Sequence, residues 1–368
     1  MDDKHSHDSS SSAEPLRLPE RSRFLYQLTC ATLGLLFVVL VIHLLEKFAS
    51  VLQPLLIAVF IAYVIVPIHH QLVARRVPSL VAYVLIVTVI IGVFLGVSQQ
   101  VYSNVTSLTV EQLDQYEQRL GNLVRRGVGM FSGAMTVPDD WRFRNLFVVN
   151  ASSREKLAET LRSVVGVSLG LLTMGFVVAI YLIFLIGEMV SLPRRIRLAY
   201  GDARGNHIMN IVGTINRAIA DYISVKMYVS FLTGFLSLVV LAVFGVEFFV
   251  TWSILIFLFN FIPYIGSLVA VSLPILFSFV QFDDLWKPVT ITVLLVAVQQ
   301  GTGNFLEPRL TGSKLGVSPL MILLSLAFWG LLWGIVGMIL AVPLTVIAKI
   351  ILENIAETKP IARLISND

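Results

Sequence analysis

The chain has 368 residues, of which 56% are hydrophobic and 14% charged, and its mean hydropathy is +0.83. Soluble domains carry about 25% charged residues, so there is too little charge here to cover a water-facing surface, and the hydrophobicity excludes a mostly disordered chain. The balance of 27 Lys plus Arg against 23 Asp plus Glu, a net +4, is read as loop charge that orients helices and not as a nucleic-acid footprint.

In chain order, residues 1–23 are polar and end in Arg17, Arg21 and Arg23, which predicts a disordered cytoplasmic tail. His5 and His7 lie in that tail and are too loosely placed for a firm metal site. The apolar run from Phe24 to Leu45 is longer than a signal-peptide core and has no cleavage site after it, so it is expected to span. Further runs occupy 51–68, 80–98, 164–187, 227–245, 248–280, 288–302 and 317–348. The reading is an all-α, polytopic integral membrane protein with about eight transmembrane segments, broken or re-entrant in the C-terminal half.

Two of these runs are unusual. The run at 248–280 is too long for one ordinary span and Pro263 breaks it near the middle. The last has no charged residue between Leu315 and Ala348 and is interrupted by Gly330, Gly334, Gly337 and Pro343. Each is either a helical hairpin or a broken helix.

Loop charge sets the orientation. Arg75, Arg76, Arg194, Arg195, Arg197 and Arg204 flank the second and fourth runs, whereas the loops at 46–50, 246–247 and 281–287 are acidic or mixed. Basic loops stay in the cytoplasm, which places both termini inside and 99–163 outside. The expected organisation is a tail (1–23), N-terminal transmembrane helices (24–98), and an extracytoplasmic amphipathic helical segment (99–163). A transmembrane helix with a cytoplasmic amphipathic helix (164–226), a transport core (227–350) and a cytoplasmic tail (351–368) follow. Ser152-Ser153-Arg154-Glu155 reads as a capping box. Ile208, Ile211, Val212, Ile215, Ile219 and Tyr222 form an apolar stripe that fits either the cytoplasmic membrane surface or a packed subunit interface.

Non-helical backbone at membrane depth has to be buried in protein or line a wet cavity, so the breaks are the first candidate sites. Asn260, Pro263, Tyr264 and Gly266 mark one; Gln299, Gln300, Asn304, Glu307, Pro308 and Arg309 mark another. Paired broken segments point to a transporter binding site. Their amides and hydroxyls can hold an uncharged polyol or sugar-like solute without burying a charge. Glu188, Asp221 and Glu307 are the ion-coupling candidates, since carboxylates at or near spans can bind protons or cations. No HExxH, GxSxG, Walker A or GxGxxG pattern occurs and Cys30 is alone, so neither enzymatic chemistry, a cofactor nor a metal is expected.

FNFIPYIGSLVAVSLPI (259–275), QQGTGNFLEPRLTGSKLGVSPL (299–320) and WGIVGMILAVPLTVI (333–347) resemble the autoinducer-2 exporter (AI-2E) family of bacterial transporters. The likeness extends from the first span to about residue 355, with the family pattern on Pro263, Gly266, Asn304, Glu307, Pro308, Gly312, Pro319, Gly334, Gly337 and Pro343. The family usually has proline where this chain has Ser267. The resemblance implies a homo-oligomer of the bacterial inner membrane, in a ring of about five, that moves small solutes. Three functions follow as expectations: a secondary transporter exporting a small polar solute such as autoinducer-2; a sodium or other cation–proton antiporter; or a non-transporting scaffold that docks partners through 99–163.

Overall fold

The computed structural model describes residues 20–107, 119, 153–311 and 316–366. Among the described residues the chain is all helix apart from turns and an isolated antiparallel bridge, Val317 to Ser366. Five helices are long and apolar enough to cross a membrane, and three shorter apolar helices accompany them. The capping box falls at the edge of the described residues, and most of the 99–163 segment lies outside them.

The chain divides into two units at Ser50. In the first, α1 (Glu20–Lys47) exposes Leu33, Leu35, Leu36 and Phe37, a surface suited to lipid. The hydroxyls of Thr29 and Thr32 donate back to the carbonyls of Leu25 and Leu28, which removes their need for water.

The second unit begins with α2 (Ala49–Ala74) and α3 (Ser79–Ser107), then α4 (Ser153–Val243), a run of 91 residues broken at Gly201 (φ 73°, ψ 170°). Ala58, Ala62 and Ile65 of α2 pack with Ile86 of α3 and with Val178 and Leu182 of the first part of α4. After Gly201 the helix continues unbroken to Val243, so the apolar stripe at 207–222 and the following span are one rod. Ile211, Ile215, Ile219 and Tyr222 pack within the chain, against Phe60, Tyr63 and Val64 of α2 and Val342, Val346 and Ile350 further on.

Both long C-terminal runs are helical hairpins. In the first, α5 (Phe249–Phe259) and α6 (Ile265–Gln281) are joined at their base by Gln281, whose side chain bonds the Gly245 carbonyl (2.9 Å) and the Glu247 N–H (2.8 Å). The 11 residues of α5 rise only ~16 Å, far short of a ~30 Å hydrocarbon core. Arg119, from the segment between α3 and α4, bonds the Gln281 carbonyl and pairs with Asp283 at 3.6 Å, which pins that base.

Next come α7 (Trp286–Gln299), a wide π-type turn at Gln300–Leu306, α8 (Glu307–Thr311), α9 (Pro319–Glu353) and α10 (Lys359–Ile365). Within α9, Gly334 (φ 62°, ψ −141°) reverses the chain. Ser325 Oγ donates to the Ala341 carbonyl at 3.1 Å and lies 2.5 Å from Thr345 Oγ1. In a straight helix residues 20 apart stand ~30 Å apart, so α9 is the second hairpin. Lys349 Nζ, which donates to the Gly316 carbonyl at 2.7 Å, and the Ser318 N–H, which donates to Ile365 at 3.0 Å, close its base.

The two hairpins are based at different levels of α4. Leu241 packs with Val246, Val271, Ile291 and Leu295 beside the base of the first; Ile219 and Ile223 pack with Val317, Val346 and Ile350 at the base of the second. Ile262, at the tip of the first, is buried against Leu326 and Ala341 of the second.

Candidate functional site

Between the two bases, α4 carries polar side chains at one-turn intervals. Tyr222, Lys226, Ser230, Thr233 and Ser237 are all buried. At 3.6 residues per turn they share an arc of about 80°, over ~22 Å of helix. No water or lipid can satisfy polar groups held there, so each needs a protein partner or a ligand.

Three different elements supply partners. Asn260, at the tip of the first hairpin, donates from Nδ2 to Ser230 Oγ at 3.0 Å. Thr233 Oγ1 donates to Thr302 Oγ1 at 2.7 Å, and Thr302 donates to the Val298 carbonyl at 2.8 Å. Lys226 Nζ pairs with Glu307 Oε1 at 2.5 Å. The wide turn makes the last two contacts compatible. In an α-helix residues five apart point ~140° away from each other. Here the Glu307 N–H bonds the Thr302 carbonyl, five residues back, and so both side chains reach α4.

Among the described residues, three buried polar side-chain atoms have no hydrogen-bond partner: Tyr222 Oη, Ser237 Oγ and Gln299 Oε1. Along the seam between α4 and α7, Leu241 meets Ile291 and Leu295 while Thr233 meets Thr302. Ser237 lies midway on the same face of α4, and Gln299 midway on the same face of α7, so both fall in one stretch of the seam. Unsatisfied groups of this kind are rare in folded proteins and mark places where a ligand can bond.

The first hairpin tip is tightly built. Tyr264 has φ 61° and ψ −60°, a strained conformation for a side-chain-bearing residue. The Ser267 hydroxyl donates to the Tyr264 carbonyl at 3.1 Å, so the residue standing in place of the family's proline acts as a local brace. A Cβ on Gly266 would lie 1.9 Å from the Phe259 carbonyl oxygen, and one on Gly337 would lie 1.9 Å from that of Trp329. Each hairpin thus has a glycine just past its tip where the arms touch backbone to backbone.

Of the residues singled out in the sequence, Asn260, Gln299 and Glu307 converge on this seam, with Pro263, Tyr264 and Gly266 shaping the tip beside it. Gln300 and Asn304 are exposed on this chain and bond each other through their side chains. Pro308 is exposed, and Arg309 stacks over Phe305, 3.6 Å from the ring centre. Glu188 pairs with Arg195 at 2.6 Å on the exposed part of α4, and Asp221 is exposed on the flank of the rod. Lys226, Ser230, Thr233, Ser237 and Thr302 were not foreseen. Their signal is present in SVKMYVSFLTGFLSL (224–238), where polar residues recur at three- and four-residue spacing inside an apolar run.

The chain matches the AI-2E family transporter profile over residues 32–357. It belongs to the AI-2E family. A relative in Borreliella burgdorferi, named "Putative transport protein", is 29% identical over 312 residues, covering 84% of this chain and 83% of its own. The AI-2 transport protein TqsA of Escherichia coli is 29% identical over 327 residues, covering 87% and 90%. This AI-2E protein is therefore a multi-pass membrane protein whose class of activity is transport, set in a lipid bilayer and acting on a solute.

Proposed function

We propose that the protein is a secondary transporter that exports a small polar solute, autoinducer-2 or a close chemical relative, across the bacterial inner membrane. The observation that carries this is the buried polar seam of Ser230, Thr233, Ser237, Asn260, Gln299 and Thr302. Apart from Lys226 and Glu307 its groups are neutral hydroxyls and amides, which suit a hydroxyl-rich, uncharged molecule. The tip of the first hairpin packs against the arms of the second beside it, so two reversed helix pairs border the seam, the arrangement expected of a transporter binding site. The relative named for AI-2 transport supports the choice of solute.

Loop charge supports placing Arg194, Arg195, Arg309 and the second hairpin's base in the cytoplasm, and the first hairpin's base outside. The outward amides of Gln300 and Asn304 would be costly against lipid, which supports a homo-oligomer whose neighbouring copy covers them.

The test is efflux of autoinducer-2 from proteoliposomes. Asn260→Val and Thr302→Val should each lower the rate at least ~10-fold, the loss expected when a hydrogen bond that is stronger in the crossing state is removed. Unchanged efflux in both variants would sink the proposed site. Cation–proton exchange is the second reading, favoured by the charge pair at Glu307.

A further inference from the structure

The Lys226–Glu307 pair sits where charge is most expensive. Lys226 is 97% buried, given its 3% exposure, and neighbours hydroxyls and apolar side chains in the middle of the rod. Desolvating two ions is rarely repaid by their attraction, and α8 is already tethered to α4 by the Thr233–Thr302 bond beside it. Charge inside a membrane span is a functional site by default.

The pair bridges α4 and the α7–α8 arm, the two elements that have to part for a solute to occupy the seam. On parting, Glu307, whose side chain is 24% exposed and otherwise covered by protein, loses its counter-ion, and a carboxylate so placed takes up a proton more readily. Tyr222, one turn below Lys226, has a buried hydroxyl without a partner and lies close enough to feel the charge of Glu307. The other titratable groups nearby are engaged, Asp221 on the exposed flank of α4 among them. Arg309 is turned over Phe305, Lys349 of α9 bonds Gly316 and pairs with Glu353, and Tyr63 of α2 bonds Asn216.

We propose that Glu307 is the binding site of the coupling proton, with Lys226 as its internal counter-ion and Tyr222 as hydrogen-bond partner of the protonated acid. This rests on the transport reading above. One proton moves from water to the Glu307 carboxylate as the seam opens and returns to water as the ion pair re-forms; Lys226 keeps its own proton because the opening exposes its face of α4 to the water that fills the seam. The open form binds one more proton than the closed form, so acid favours opening, by up to ~10-fold per pH unit.

The measurement is the rate at which a water-soluble thiol reagent labels Ser230→Cys in a Cys30→Ser background, divided by the rate at exposed Asp284→Cys. That ratio is expected to rise from about pH 8 to about pH 5. Glu307→Gln should raise it at pH 8 and flatten the profile, whereas the charge reversal K226E/E307K should keep it low at pH 8. A flat profile in the parent pair overturns the proposal, as does a Glu307→Gln protein labelled as slowly as the parent. If Glu307→Gln does not fold, the parent's pH profile decides alone. Labelling needs no solute, so a flat profile leaves export of autoinducer-2 standing. A sloped profile in a protein that moves no autoinducer-2 supports the proton site and sinks the solute.

Discussion

Single atoms decide the hairpin tips. At Gly266 the missing side chain leaves room for the Phe259 carbonyl, and a methyl group placed there would overlap it. Gly301 has no atom within 4 Å of where its Cβ would be. Gly266→Ala is therefore expected to destabilise the protein by about 3 kcal/mol, the upper range for overpacking, whereas Gly301→Ala, in open space on a helical backbone, should leave stability unchanged or raise it by up to about 1 kcal/mol. Unfolding in detergent, followed by the exposure of buried tryptophan, compares the two. Equal midpoints would mean the arms do not meet at Gly266. At this scale the sequence was only partly legible. Asn260 and Glu307 drew attention as polar residues beside prolines, but Lys226 and the hydroxyls of α4 sit in an ordinary-looking span. Their importance comes from partners 30 to 81 residues away in the chain, which no local pattern announces.

The elements were easier to read than their folding back. Apolar runs located the helices, and Pro263 and Gly334 marked where two of them break. Whether each break is a kink or a reversal depends on contacts between the arms, which no local pattern shows: in α9 the chain turns at Gly334, inside an apolar run with no polar loop to mark it. A cross-link makes the distinction. Ser325→Cys with Thr345→Cys, in a Cys30→Ser background, should form a disulfide within one chain under mild oxidation, since the native oxygens are 2.5 Å apart. A straight helix would hold the two sulfurs ~30 Å apart and give only the reduced product by mass. The wide turn at Gln300–Leu306 was equally hidden. QGTGNFL reads as a glycine-rich membrane-edge loop, yet it stays helical and differs from an α-helix by its five-residue hydrogen bond alone.

For the whole molecule, composition alone set the class: with so little charge, only a bilayer could accommodate the surface. Topology was readable as far as the parity of the first long run. The reversal at Pro263 resolves it, because Gln281 at one end of the hairpin bonds Gly245 and Glu247 at the other. With the proposed orientation, Asp284→Cys should react with a membrane-impermeant reagent added to intact cells and Lys359→Cys only after the cells are opened. The reverse pattern would invert the assignment and with it the direction of export.

Residues 202–243 make a single shaft ~63 Å long, twice the depth of the oily layer it traverses. One hairpin is fastened near the Val243 end of that shaft, at Leu241, and the other near its middle, at Ile219 and Ile223. A tilt of so stiff a lever would carry both attachments with it, so the two hairpins are geared to each other through the rod.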